Sequence, residues 1–68
     1  MTLKDMRVSN NLTMLEVGNL IGFTKGSINN LEKGRFQPKA SIIIKLAEIY
    51  KVNISDIITA LAKLENEI

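Results

Sequence analysis

The sequence predicts an all-α fold, a compact domain of five short helices covering residues 1–68. Two observations carry this. Apolar residues recur at three-to-four spacing along the chain. Threonine caps open the second and third segments, and glycines stand where those segments should close. The isoleucine run 42–44 could be mistaken for a strand, but its surroundings keep a helical period. Sixty-eight residues cannot supply two cores, so one domain is expected. A chain this short buries only about 60% of its unfolded surface. It therefore needs close packing or a partner subunit. Its 46% hydrophobic and 24% charged content sits near the globular average, which argues against disorder.

The elements follow in order. Leu3, Met6 and Asn10 fall at helical spacing after Thr2, and Asn10-Asn11 ends this first helix. Thr13-Met14-Leu15-Glu16 fits a capping box, in which each end satisfies an orphan amide of the other. Val17, Leu20 and Ile21 continue the second helix, and Gly22 sits where a left-handed closing residue is needed. Thr24 caps a third helix marked by Ile28 and Leu31, and Gly34 closes it. Arg35-Phe36-Gln37-Pro38 is a connection, because proline disfavours helical geometry in the residue before it. From Ala40 to Lys51 the period decides: Ala40, Ile43, Leu46, Ala47 and Tyr50 share one face, and Ser41, Lys45 and Glu48 the opposite one. Ile42, Ile49 and Ile44 flank that apolar arc, which is wider than one small core requires. Asn53 caps a fifth helix with Asp56 near its positive end. Ile54, Ile57, Ile58, Leu61, Leu64 and Ile68 are expected along one side of it.

Much chemistry is excluded at once. The absence of cysteine rules out disulfides, thiolate metal sites and cysteine catalysis. The absence of histidine removes the commonest metal ligand and the commonest general base at neutral pH. No nucleophile–base pair is apparent, so an enzyme is not expected, and neither a cofactor, a metal nor a small-molecule ligand is implied. No apolar run approaches the roughly 18 residues of a membrane span, and no signal peptide is visible. No membrane association and a cytoplasmic location are expected.

The charge is small in sum and uneven in place. Residues 25–51 carry six cations against Glu32 and Glu48, a net +4, while residues 1–24 are neutral and residues 52–68 carry −2. A basic middle of this kind can face a polyanion. Within it the spacing has helix-turn-helix grammar. Gly18 is small enough for a close approach of the second helix to the third. Gly22 takes a turn conformation that a side chain opposes. Ile28 and Leu31 anchor the third helix and leave its other face free.

The same residues resemble the lambda-repressor/Cro family of helix-turn-helix regulators, also called the xenobiotic-response-element family. Leu12-Thr13, Gly22-Phe23-Thr24, Ser27-Ile28, Leu31-Glu32, Gly34 and Pro38 fall in register with its pattern. So do Leu46-Ala47 and the entry to the fifth helix at Val52-Asn53-Ile54-Ser55-Asp56. The resemblance spans Leu3 to Ile58. It implies a lambda-repressor-like DNA-binding domain whose third helix enters the major groove of double-stranded DNA, as a homodimer on a pseudo-palindromic operator. It also implies that Arg7 pairs with Glu32, the glutamate that ends the recognition helix. Three positions depart from the family pattern. Met14 replaces a glutamine that buttresses the recognition helix and meets a phosphate. Gly18 replaces an alanine. Gly26 stands where a base-reading side chain is common.

On this reading Lys25, Ser27 and Asn30 are the candidates for base contact, since lysine suits guanine, asparagine adenine, and serine either. Thr13, Thr24, Asn29, Lys33, Arg35 and Lys39 are the candidates for phosphate contact, the threonines because a helix start favours anions. Phe36 is expected to pack under its loop. Ile44, Ile58, Leu61 and Leu64 exceed what the core can cover and are expected at a dimer interface. The function implied is a sequence-specific transcriptional regulator, a repressor suited to a phage, plasmid or mobile-element switch. The alternative is a protein-interaction module, such as an antitoxin or adaptor, with a protein partner in place of an operator.

Overall fold

The computed structural model describes residues 1–66 and contains five α-helices: α1 Leu3–Ser9, α2 Met14–Ile21, α3 Lys25–Glu32, α4 Ala40–Tyr50 and α5 Ile54–Asn66. No strand occurs among the described residues. The helices are short, so their ends matter as much as their middles.

The starts are built from local side-chain bonds. Thr13 Oγ1 accepts from the Glu16 amide at 3.1 Å, and Glu16 Oε1 accepts from the Thr13 amide at 3.0 Å. The same box joins Thr2 and Asp5 at the start of α1. The Thr2 amide and hydroxyl hold the Asp5 carboxyl below the usual carboxylate range. At α5, Asp56 Oδ2 accepts from the Asn53 amide at 3.1 Å.

The ends use left-handed residues. Gly22 closes α2 at φ 80°, and the Phe23 amide reaches back to the Gly18 carbonyl at 2.8 Å. α3 ends at Lys33, one residue before Gly34, which turns the chain at φ 73°. The Arg35 amide then bonds the Asn30 carbonyl at 3.0 Å, and the Gly34 amide bonds the Leu31 carbonyl at 3.1 Å. This is a Schellman closure. α4 closes on Lys51 at φ 57°, a left-handed position without glycine.

The core draws on every helix. Leu3 and Met6, Val17 and Ile21, Ile28 and Leu31, Leu46 with Ala47 and Tyr50, and Ile57 with Ala60 and Leu61 are all buried. Asn10, expected to continue the α1 spacing, instead ties α1 to α4: its Nδ2 donates to the Met6 carbonyl at 2.8 Å and to the Tyr50 carbonyl at 3.1 Å.

Three expectations are corrected here. Ala40 is exposed, because it is the first residue of α4 and projects before the helix reaches the core. The inward stripe of α5 is Ile57, Ala60, Leu61 and Leu64, the i, i+3, i+4, i+7 set, whereas Ile54 and Ile58 point outward. Leu61, expected at a dimer interface, is one of these inward residues. It is only 5% exposed and belongs to the core. Leu64 is half-buried and packs against Gly34. Ile68 lies outside the described residues.

Tyr50 gives the fold a pH signature. Burial, reinforced by the negative charge of Glu32, pushes its phenol up to about 12. The folded value thus lies above the unfolded one of about 10. Its contribution is intact below pH 10 and is lost as the pH rises from about 10 towards about 12. Tyr50→Phe should flatten this alkaline loss in denaturant titrations run at pH 9, 10 and 11. Parallel curves for the two proteins would place the phenol in water.

Candidate nucleic-acid interface

α2 and α3 pack through Val17 and Ile21 against Ile28 and Leu31, all fully or nearly buried. The turn between them is fixed by Gly18. A Cβ there would overlap the Phe23 carbonyl oxygen and lie 3.4 Å from the Thr24 carbonyl carbon. The close approach is thus to the connecting backbone, which cannot swing aside as a side chain could. Gly26 is the opposite case, with only Thr24 Oγ1 within reach, at 3.9 Å. Gly18→Ala should destabilise by about 1–3 kcal/mol through overpacking. Gly26→Ala should stabilise by about 0.5–1 kcal/mol through helix propensity. Thermal melts of both check the contrast, and equal shifts would refute it.

With Ile28 and Leu31 inward, a helical rotation of about 100° per residue assigns the outer face of α3. Gly26 and Lys33 fall on its midline. Asn29 and Asn30 flank that line, and Lys25 and Ser27 lie at the margins. Asn29, expected to meet phosphate, thus lies as near the midline as Asn30. Lys25 and Lys33 are exposed, and Ser27, Asn29 and Asn30 are half-buried.

Polar contacts organise part of this face. The Thr24 hydroxyl accepts from the Ser27 amide and donates to Ser27 Oγ, both at 3.0 Å. The Arg35 Nη1 donates to Asn30 Oδ1 at 2.9 Å. Sequence reasoning missed the Arg35–Asn30 bond. Its signal was Gly34, whose left-handed turn sends residue 35 back over the end of α3. Thr13 sits at the start of α2, and Lys39 is the exposed cap residue of α4. Phe36 is half-buried, its ring 6.2 Å from that of Phe23 at 45°. Met14 is half-buried against the core, an apolar role that glutamine would not fill.

Behind this face, Arg7 holds the end of α3. Its Nε donates to Glu32 Oε2 at 2.6 Å and its Nη2 to Glu32 Oε1 at 3.3 Å. Nη1 donates to the Leu12 carbonyl at 3.0 Å. The two side chains are only 8% and 7% exposed. Hydrogen bonding to Glu32 raises the Arg7 guanidinium above its ordinary value, so it stays charged. One buried cation therefore ties together α1, the loop before α2, and the end of α3.

Comparison with known proteins agrees with this geometry. Residues 2–67 match the helix-turn-helix domain family. Over 57 residues the chain is 37% identical to the cryptic phage CTXphi transcriptional repressor RstR of Vibrio cholerae, covering 84% of this chain and 51% of that protein. It is 31% identical over 55 residues to an uncharacterized HTH-type transcriptional regulator of Archaeoglobus fulgidus, covering 81% of this chain and 78% of that one. A third, from Methanocaldococcus jannaschii and also named an uncharacterized HTH-type transcriptional regulator, is 33% identical over 55 residues, with 81% and 83% covered. The chain thus spans about half the length of the Vibrio repressor. No solved structure matches it. No helix among the described residues is long and apolar enough to cross a membrane. The chain belongs to the helix-turn-helix domain family, and the relatives it matches are named as transcriptional regulators.

Proposed function

We propose that this regulator is a sequence-specific repressor that docks α3 in the major groove of a pseudo-palindromic operator as a homodimer. The observation that carries the reading is the outer face of α3. It presents Lys25, Asn29, Asn30 and Lys33 beside a turn held rigid by Gly18 and Gly22. Lys25, Ser27 and Asn30 are the proposed base readers, with Asn29 now favoured for the groove by its angle. Lys33, Arg35 and Lys39, with Thr13 and Thr24, are the proposed phosphate contacts. The name of the Vibrio relative supports repression in a phage or mobile-element setting. The dimer rests on Ile44 and Ile58, 46% and 52% exposed, beside a shallow groove lined by Gln37, Ile43, Ile58, Leu61 and Ala62.

Binding of labelled random and selected DNA across a salt series tests this. Affinity should fall steeply with salt, and Lys33→Ala should reduce the slope by roughly one while weakening all sequences alike. A salt-independent or absent shift would refute DNA docking.

The protein-interaction alternative draws on other observations. Val8, Leu15 and Leu20 are each more than half exposed on α1 and α2, off the α3 face. Capture of a protein ligand that is lost on substituting one of these residues, with no selected DNA, would favour that reading.

A further inference from the structure

We infer that Arg35 is a positioning residue for Asn30, and that the pair reads guanine where a lone asparagine would read adenine. This rests on α3 being the groove helix.

Arg35 meets Asn30 twice. Its backbone amide bonds the Asn30 carbonyl at 3.0 Å, and its Nη1 bonds the Asn30 side-chain oxygen at 2.9 Å. The left-handed Gly34 makes both possible by folding the chain back over the last turn of α3. The side-chain bond is charge-assisted, and the backbone bond fixes where Arg35 starts from, so together they orient the amide.

Orientation decides what an asparagine can read. Its amide has an accepting oxygen and a donating NH2 group. Adenine recognition uses both, the oxygen taking the N6 proton and the nitrogen giving one to N7. Here Oδ1 is engaged by a cation. The guanidinium also places positive charge beside the remaining lone pair of that oxygen, which opposes the approach of the adenine N6 amino group. The Nδ2 donors are left. Guanine offers two acceptors in the groove, O6 and N7, and both the NH2 group and the nearby cation favour them. Gly26 leaves the approach open. Helical side chains lean towards the N-terminus, so Asn30 leans over the turn that carries Gly26. A Cβ at Gly26 would meet only Thr24 Oγ1, at 3.9 Å.

The test is a selection from a random DNA pool, followed by a base-pair substitution series on the selected site. The proteins are wild type, Asn30→Ala, Arg35→Ala and the double variant. The base pair at which Asn30→Ala loses discrimination identifies its contact. Wild type should prefer G·C there by at least about fivefold, the low end for a good base contact. Arg35→Ala should move the preference to A·T, because the amide is then able to bond adenine through both atoms. Its uniform loss of phosphate attraction cancels in that ratio. In the Asn30→Ala background, Arg35→Ala should leave the ratio unchanged. Both side chains bond at the surface, and melting curves check that the variants are folded. A wild-type preference for A·T, or an unchanged G·C preference in Arg35→Ala, overturns the positioning role and leaves the groove reading standing. Selection of no sequence by the wild type overturns both.

Discussion

Glu32→Ala should lower the unfolding free energy by about 3–5 kcal/mol, because it strands a buried guanidinium. Arg7 is 7% exposed, and its charge is compensated by two bonds to Glu32 and one to the Leu12 carbonyl. Alanine leaves only the neutral carbonyl. Domains of this size hold roughly 3–10 kcal/mol in total, so the variant should sit near its unfolding midpoint at room temperature. The loss should be smaller when both partners are replaced by apolar residues, as in Arg7→Met/Glu32→Leu. No uncompensated charge then remains, and the pair is coupled rather than additive. Urea titrations of the single and double variants check this. A single-variant loss below about 1 kcal/mol would mean that water reaches the pair. The pair also bears on function. It anchors the C-terminal end of α3 to α1, so a folded Glu32 variant should bind DNA with a less well-fixed recognition helix.

How much of this was legible in the sequence depends on how local each signal is. Thr13, Glu16, Gly22, Thr24 and Gly34 announce helix ends because caps act within three or four residues. The helix-turn-helix followed from them. Lys51 gave no such signal, since a lysine in left-handed geometry is held there by the packing of α4 on α5 and not by its own preference. The charges of Arg7 and Glu32 were visible, but their burial was not. It depends on how α1 and α3 lie across each other, 25 residues apart in sequence. The Asn30–Arg35 bond needed the direction of a left-handed turn, which composition does not state. On α5 the apolar residues outnumber the inward positions. Type alone could not separate Ile58 from Leu61, three residues on. The buried Ala60 helps to mark the true stripe, and a small residue is easily passed over in a search for large ones.

That separation sets up a pair of opposed outcomes. Leu61→Asp should leave the chain largely unfolded. The site is 5% exposed, so the substitution removes core volume and places a carboxylate where it has no partner. Either effect alone costs a few kcal/mol, and together they exceed the 4–5 kcal/mol reached only by severe core lesions. Ile58→Asp is the same chemistry one turn away on a residue that is 52% exposed. The fold should survive it, with a change of about 0.5 kcal/mol or less in the monomer. If Ile58 and Ile44 form the dimer face, Ile58→Asp should instead halve the mass seen by sedimentation at tens of micromolar and weaken operator binding through lost mass action. Circular dichroism separates the two variants first, and sedimentation of the folded one follows. A folded Leu61→Asp protein would contradict the packing of α5. Equal masses for wild type and Ile58→Asp would move the dimer contact off this face, and the exposed residues Leu15 and Leu20 of α2 would each be the next to substitute.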